Sequence, residues 1–376
     1  MKLFAGRSTR ILCQLLALIA GLGLLDTCRA NSPSVETGTL VDKRKLAALV
    51  ANLSGPGSQR RYREIHSLLV GYRGRLLAEA YFRGNSDGID FEAGVTRIAG
   101  PEQDWTRDDL HYVASVTKGL TALLTGIALD QLGMDSRQQV LPLLPDGATY
   151  RDAAWAQELR LQHLLTMQAG FRWDEWSATD LAELWRSQNF SRVVLARENL
   201  GVGQTWCYNS ALPNLLLTLL QSALQQPLAQ WADRYFFKPL GIRHYRWDTQ
   251  PDGTPEGAAR LYLRPADMYK IGQLVLNKGQ WRRQQQIVPA AWIEAMTKNQ
   301  VNKPAAPYGY YLWLREINGR RYVSFEGDGG QYINVFPDLD AVIVITQGNY
   351  LNWPFYRDQA EALMREILRP AKPADN

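Results

Sequence analysis

A serine and a lysine three residues apart, Ser115 and Lys118, open a run of apolar residues at helical spacing: Leu120, Leu123, Leu124, Ile127 and Ala128. The spacing predicts Ser115 in the first turn of a buried helix, with Lys118 one turn on and on the same side. A serine hydroxyl is a poor nucleophile until a neighbouring base takes its proton. A lysine kept from bulk water near the positive end of a helix is biased toward the neutral amine, which can act as that base. On spacing alone, a surface serine and a surface lysine on an ordinary helix fit equally well.

Two further stretches carry residue types that complete such a site. Tyr208-Asn209-Ser210 follows Gly201, Gly203 and Cys207 and precedes an apolar run from Leu212. A tyrosine in such a loop can pass a proton, and cations beside it favour the phenolate; the other reading is a half-buried core tyrosine. Gly327-Asp328-Gly329-Gly330-Gln331 precedes an apolar segment, Tyr332 to Phe336. Adjacent glycines let backbone approach a ligand closely, and an N–H there facing that of Ser115 makes an oxyanion hole. A plain hairpin turn or bulge is the alternative.

With these stretches in hand, the chain resembles the serine beta-lactamase and penicillin-binding-protein superfamily, in the branch of class C beta-lactamases, related esterases and 6-aminohexanoate-dimer hydrolase. The agreement runs over roughly residues 60–370. It includes Val113 to Lys118, Leu161 to Gly170, Tyr208 to Ser210, Leu261 to Asp267 and Gly327 to Tyr332, in the family's order. The resemblance implies Ser115 as acylated nucleophile, Lys118 as its base partner and Tyr208 as proton shuttle. It implies an oxyanion hole from the backbone N–H groups of Ser115 and Gln331, with Ser210, Asp328, Gly329 and Gly330 contacting substrate. Two departures stand out. Ser210 occupies the place of an asparagine that contacts a lactam amide, and Asp328-Gly329-Gly330 occupies that of Lys-Thr-Gly, so an acid replaces a cation. The expected activity is therefore hydrolysis of a small ester or linear amide. The alternatives are a beta-lactamase or D,D-peptidase-type cell-wall enzyme, and a catalytically idle binding or scaffold protein.

The elements that must position these residues read as α+β. Leu40 to Leu53 has helical spacing, and Ser67 to Val70 with Leu76 to Phe82 reads as a hairpin closed by Gly71 to Gly74. Residues 84–110 read as loop. Helices are predicted near Leu161, over Leu212 to Leu224, Trp231 to Phe237, Leu263 to Asn277 and Ala290 to Met296, and over Phe355 to Leu368. Four strands precede the last helix: Tyr310 to Leu314, Arg321 to Phe325, Tyr332 to Phe336 and Ala341 to Thr346. Together they imply an antiparallel sheet built from both ends of the chain with flanking helices. A mainly helical lobe, about 120–300, would be inserted between sheet portions 60–119 and 301–376 of one catalytic domain spanning 31–376.

The totals narrow the partners. The 376 residues are 46% hydrophobic and 21% charged, with formal net charge +5 and only short basic clusters, so no nucleic-acid partner is expected. Residues 1–30 read as a signal peptide or N-terminal anchor: Lys2, Arg7 and Arg10, an apolar run from Ile11 to Leu25, and small Ala30. Its removal leaves 38 basic and 36 acidic residues and one cysteine, Cys207, so no disulfide framework supports the fold. The expectation is a periplasmic or secreted protein, membrane-bound only if that segment stays. The four histidines lack metal-ligand spacing, and no phosphate loop or dinucleotide fingerprint occurs. No metal or cofactor is expected, and His163 reads as structural.

Overall fold

The computed structural model describes residues 43–53, 62–91, 93–301 and 307–368. The expected export segment, residues 1–30, lies outside them. The central sheet has six antiparallel strands. The first hairpin supplies β1 (Ile65–Tyr72) and β2 (Arg75–Tyr81). The C-terminal part supplies β3 (Trp313–Ile317), β4 (Arg320–Gly327), β5 (Gln331–Phe336) and β6 (Ala341–Gln347). Their order is β3-β4-β5-β6-β1-β2, so the two ends of the chain meet where β6 pairs with β1, Leu69 opposite Val344. The fold is α+β, with helices flanking this sheet and a helical lobe beside it.

Strand alternation divides the core into two layers. Ala341, Ile343 and Ile345 of β6 pack with helices α1 (Lys43–Leu53) and α5 (Phe355–Ile367). Val342 and Val344 point to the other face, onto α2 (Val116–Leu132) and α4 (Pro265–Leu276). α4 lies so close that a Cβ added at Gly272 would come 2.5 Å from Val342. α2 is buried from Val116 to Leu129 on every side and closes at Gly133 in the left-handed region, φ 63°. α3 (Ala211–Leu224) packs against it.

Several expectations are corrected. Residues 83–104 hold two small ladders, Arg83–Asn85 with Glu102–Asp104 and Gly88–Asp90 with Thr96–Ile98; polar strands this short carry no apolar period to read. The helix predicted from Leu263 starts at Pro265. Leu261–Leu263 is instead a strand between His111–Tyr112 and Tyr245–Trp247, and the residue before a proline favours extended backbone. Trp231 to Phe237 is a short helix, Leu228–Ala232, running into a π-turn, Asp233–Phe237. The edge strand begins at Trp313 rather than Tyr310, because Tyr311 has φ 56°, which ends extended backbone.

Candidate active site

Ser115 sits at the junction of two constraints. It is the N-cap of α2, and the residue before it, Ala114, has φ 46°, a sparsely populated region for a side chain with a Cβ. The bend turns Ser115 out of the core toward a cleft of about 490 Å³. Lys118, one turn on, is buried. Its Nζ donates to Ser115 Oγ at 2.8 Å and to the carbonyl of Ala258 at 3.1 Å. It also lies 4.9 Å from the centre of the Tyr208 ring.

Tyr208 lines the same cleft beside Ser115, with its ring against the Lys118 ammonium. Its loop is held by the amide of Cys207 on the Met167 carbonyl at 2.9 Å, and by Asn209 Oδ1, which accepts from the amide of Ala211 at 2.8 Å. The expected phenolate is not what the surroundings favour. Burial pushes the phenol above its ordinary value, and Lys118 draws it down only in part. Three residues read separately from the sequence are thus brought to one cleft, Ser115 and Lys118 hydrogen-bonded and Tyr208 beside them.

The other expected site residues divide. Ser210 and Asp328 line the cleft; Gly329, Gly330 and Gln331 do not. Gln331 is fully buried opposite Gly327 in the β4–β5 ladder, and its side-chain amide donates to the carbonyl of Gln347 at 2.6 Å. β4 runs on to Gly327, and Glu326, Gly327, Asp328 and Tyr332 are the cleft residues of this hairpin. Gly327 packs onto the turn that carries Ser115: an added Cβ there would come 2.3 Å from the carbonyl of Val113. Asp328 is not a bare acid. Its Oδ2 accepts from the amide of Leu351 at 2.9 Å, while burial raises its pKa. His163 is structural as expected, its Nδ1 accepting from the amide of Arg160 at 3.1 Å.

The sequence model of the family described as Beta-lactamase matches residues 46–367. The chain belongs to the Beta-lactamase family. No curated protein matches it. Solved structures share the fold at low identity. A Bacillus anthracis protein described as a 6-aminohexanoate-dimer hydrolase is 17% identical, with 88% of this chain and 84% of that chain covered and a TM-score of 0.66. Simvastatin synthase from Aspergillus terreus is 16% identical, with 86% and 97% covered and a TM-score of 0.63. The octameric penicillin-binding protein homologue from Pyrococcus abyssi is 16% identical, with 86% and 78% covered and a TM-score of 0.61. Fold and sequence thus place the chain in a hydrolase superfamily, that of beta-lactamases and penicillin-binding proteins.

In this Beta-lactamase family member, the residues that brace the cluster are ones the sequence reading missed. Glu175 is buried on the cleft. Its Oε2 accepts from the amide of Ser210 at 2.9 Å and from Trp173 Nε1 at 2.8 Å, and its Oε1 accepts from Ser210 Oγ. Burial raises its carboxyl above the usual range, with Lys118 and these donors opposing. Glu256, fully buried, accepts from the amides of Ala258, Ala259 and Arg260 and from Asn214 Nδ2. That knot fixes the carbonyl of Ala258 under Lys118. On the sheet side, Arg315 makes a two-point contact with Glu326, at 2.8 and 3.0 Å, and lies 4.5 Å over the Trp313 ring. The pairings of Glu175 with Ser210, Glu256 with Asn214 and Arg315 with Glu326 join different segments and have no local spacing signal.

Proposed function

We propose that this chain is a serine hydrolase that cleaves a small ester or linear amide through an acyl-enzyme on Ser115. The observation that carries the reading is the 2.8 Å contact from Lys118 Nζ to Ser115 Oγ on an open cleft, with the Tyr208 ring 4.9 Å from the same Nζ. As Ser115 Oγ attacks the substrate carbonyl, its proton passes to the Lys118–Tyr208 pair. The pair is treated as one unit, reactive in the form with one proton missing. The tetrahedral intermediate collapses when Tyr208 returns a proton to the departing alcohol or amine. Water then attacks the acyl-enzyme by the reverse route, releasing acid and free Ser115.

The oxyanion needs two N–H donors. Ser115, at the start of α2, supplies the first. For the second, register along β4 favours its cleft edge over Gln331. The two-residue turn Asn318-Gly319 makes Ile317 and Arg320 a hydrogen-bonded pair, so Tyr322 and Ser324 also bond toward β3. Glu326 and Asp328 continue that alternation beyond Trp313, where β3 has no residue opposite them. Their amides are the candidates.

Purified protein should turn over an activated ester and take up one fluorophosphonate, seen by intact mass and mapped to Ser115. Both should vanish in Ser115→Ala with folding retained. No adduct, or an adduct on another serine, would overturn the reading. Lys2, Arg7, Arg10 and the apolar run to Leu25 support export to the periplasm or beyond. N-terminal sequencing of protein from an envelope fraction tests this, and a cytoplasmic protein beginning at Met1 counts against it. Among the described residues, no helix is long and apolar enough to cross a membrane.

A further inference from the structure

The carboxylates on the cleft are already answered from within the protein. Glu175 is held by Ser210 and Trp173, and Glu326 by the two-point contact with Arg315. Asp328 is held by the Leu351 amide. Arg357 Nη2 donates to Asp358 at 3.2 Å, its Nε lies 3.9 Å from Glu361, and its guanidinium is 5.3 Å over the Trp353 ring. A substrate cation would have to displace the donors already on the buried carboxylates, while Arg357, 34% exposed and flanked by Asp358 and Glu361, is a screened cation that offers an anion little.

What the cleft offers instead is apolar surface. Trp176, Leu351 and Trp353 are 80%, 48% and 60% exposed, and all three line the same cleft as Ser115. Isolated exposed apolar residues need no explanation, but a cluster of them at the wall of a concave site does. Trp176 comes from the helical lobe and Trp353 from the loop after β6. The Trp176 ring lies nearly parallel to that of Tyr208, 12° between planes and 6.4 Å between centres. Apolar surface therefore runs from the reacting groups to the rim without a charged step of its own.

From this arrangement we infer that the substrate is an uncharged ester or amide bearing a bulky, ring-containing apolar group, seated on Trp176, Leu351 and Trp353. The inference rests on the hydrolase reading above and adds its substrate class. Asp328 does not single out an amine-bearing substrate, since its carboxylate already accepts from the Leu351 amide. Aromatic faces favour a ring partner, which stacks at little entropic cost. The 490 Å³ cleft is of the size that encloses such a group.

The test uses two ester series with the purified full-length protein. One varies the acyl side: acetyl, phenylacetyl, 6-aminohexanoyl and succinyl esters of p-nitrophenol. The other varies the alcohol: ethyl against benzyl acetate. The expected result is kcat/KM at least about tenfold higher for the ring-bearing member of one series, the gain that burying such a group in an apolar pocket provides. The amine- and carboxylate-bearing esters should be no better than acetyl. Trp176→Ala and Trp353→Ala should each lower the bulky-to-small ratio by roughly three- to tenfold. Because the readout is a ratio, a general loss of folded protein does not mimic it. Preference for a charged ester, no gain in either series, or an unchanged ratio in both variants would overturn the inference while fluorophosphonate labelling of Ser115 persists. Loss of labelling in the wild type would overturn the hydrolase reading itself.

Discussion

The hydroxyl of Ser210 donates to the carboxylate of Glu175 at 2.5 Å, and its amide donates to the same carboxylate. A residue expected to reach out to substrate is thus turned inward, onto an acid 35 residues earlier in the chain. Replacing Glu175 by Ala leaves the Ser210 amide and Trp173 Nε1 without their acceptor. Stability should fall by about 2–4 kcal/mol, the cost of stranding buried donors. Glu175→Gln carries a pH signature. Burial raises the folded pKa above the ordinary carboxylate value. The group's contribution is therefore full below the unfolded pKa and is lost as pH rises through the folded one. The wild type should compare best with Glu175→Gln in acid and lose ground toward neutrality. Urea unfolding of both proteins across that range measures it; a constant difference would defeat the claim.

Tyr208 should stay a phenol where free tyrosine begins to ionise, since burial outweighs the pull of Lys118. A difference titration of wild type against Tyr208→Phe, read by near-ultraviolet phenolate absorbance, should show no Tyr208 signal below the ordinary value of 10.0. The same variant should lose about 10²- to 10⁴-fold in kcat/KM on an activated ester, the usual worth of a positioned proton donor. Retention of most of the activity would remove Tyr208 from the proposed chemistry.

Gly119 is where α2 presses on the sheet. An added Cβ would fall 2.2 Å from the Phe325 ring. Gly119→Ala should cost about 1–3 kcal/mol by overpacking. It should also slow labelling of Ser115 by shifting the helix that carries it. Phe325→Leu in the same chain should recover part of both, and a double-mutant cycle reads the coupling. Strict additivity would show that the contact is not what limits the helix.

Residue type and spacing made the candidate residues Ser115, Lys118 and Tyr208 legible, and period-two runs with turn residues between them made the two ends of the sheet legible. The sequence reading missed what depends on burial or on contacts between distant segments. Cations near Tyr208 suggested a phenolate, but the cost of burying that charge is set by the whole surroundings. Gly327 to Gln331 read as a ligand-facing loop, whereas β4 extends to Gly327 and only Asp328 of that turn lines the cleft. Glu175 and Glu256 stood in unremarkable polar stretches. Their importance lies in the amides they gather, which come from other segments or from a turn without a spacing signature.

His66 and His111 give the fold an acid-sensitive seam. Both are buried, with ring centres 5.5 Å apart, and both lie against Trp105, stacked at 4.5 and 4.1 Å. Burial lowers both pKa values, Glu64 opposing it at His66 and the His66 charge adding to it at His111. Groups with depressed folded pKa values contribute stability above the unfolded value of 6.5 that is lost as pH falls through the folded ones. The melting temperature should therefore drop on acidification below about pH 6.5. His111→Phe, which keeps a ring against Trp105, should flatten that slope. Equal slopes in the two proteins would acquit the histidines.

The strand order also sets a timetable. β1 leaves the ribosome early but is flanked by β6, among the last segments made, and α2 is backed by β4. A growing chain therefore carries Ser115 long before it carries the wall against which Ser115 is aimed. Closure of contacts so distant along the chain comes late and slowly. Nascent polypeptide is consequently spared a reactive serine until synthesis is nearly finished. Ribosome-stalled chains ending before Gln331 should be silent to a fluorophosphonate, and labelling of such chains would show that the helical portion organises its chemistry unaided. The same delay leaves the first hairpin with a bare edge during translation, a window in which chaperones, rather than the protein's own sheet, must hold it.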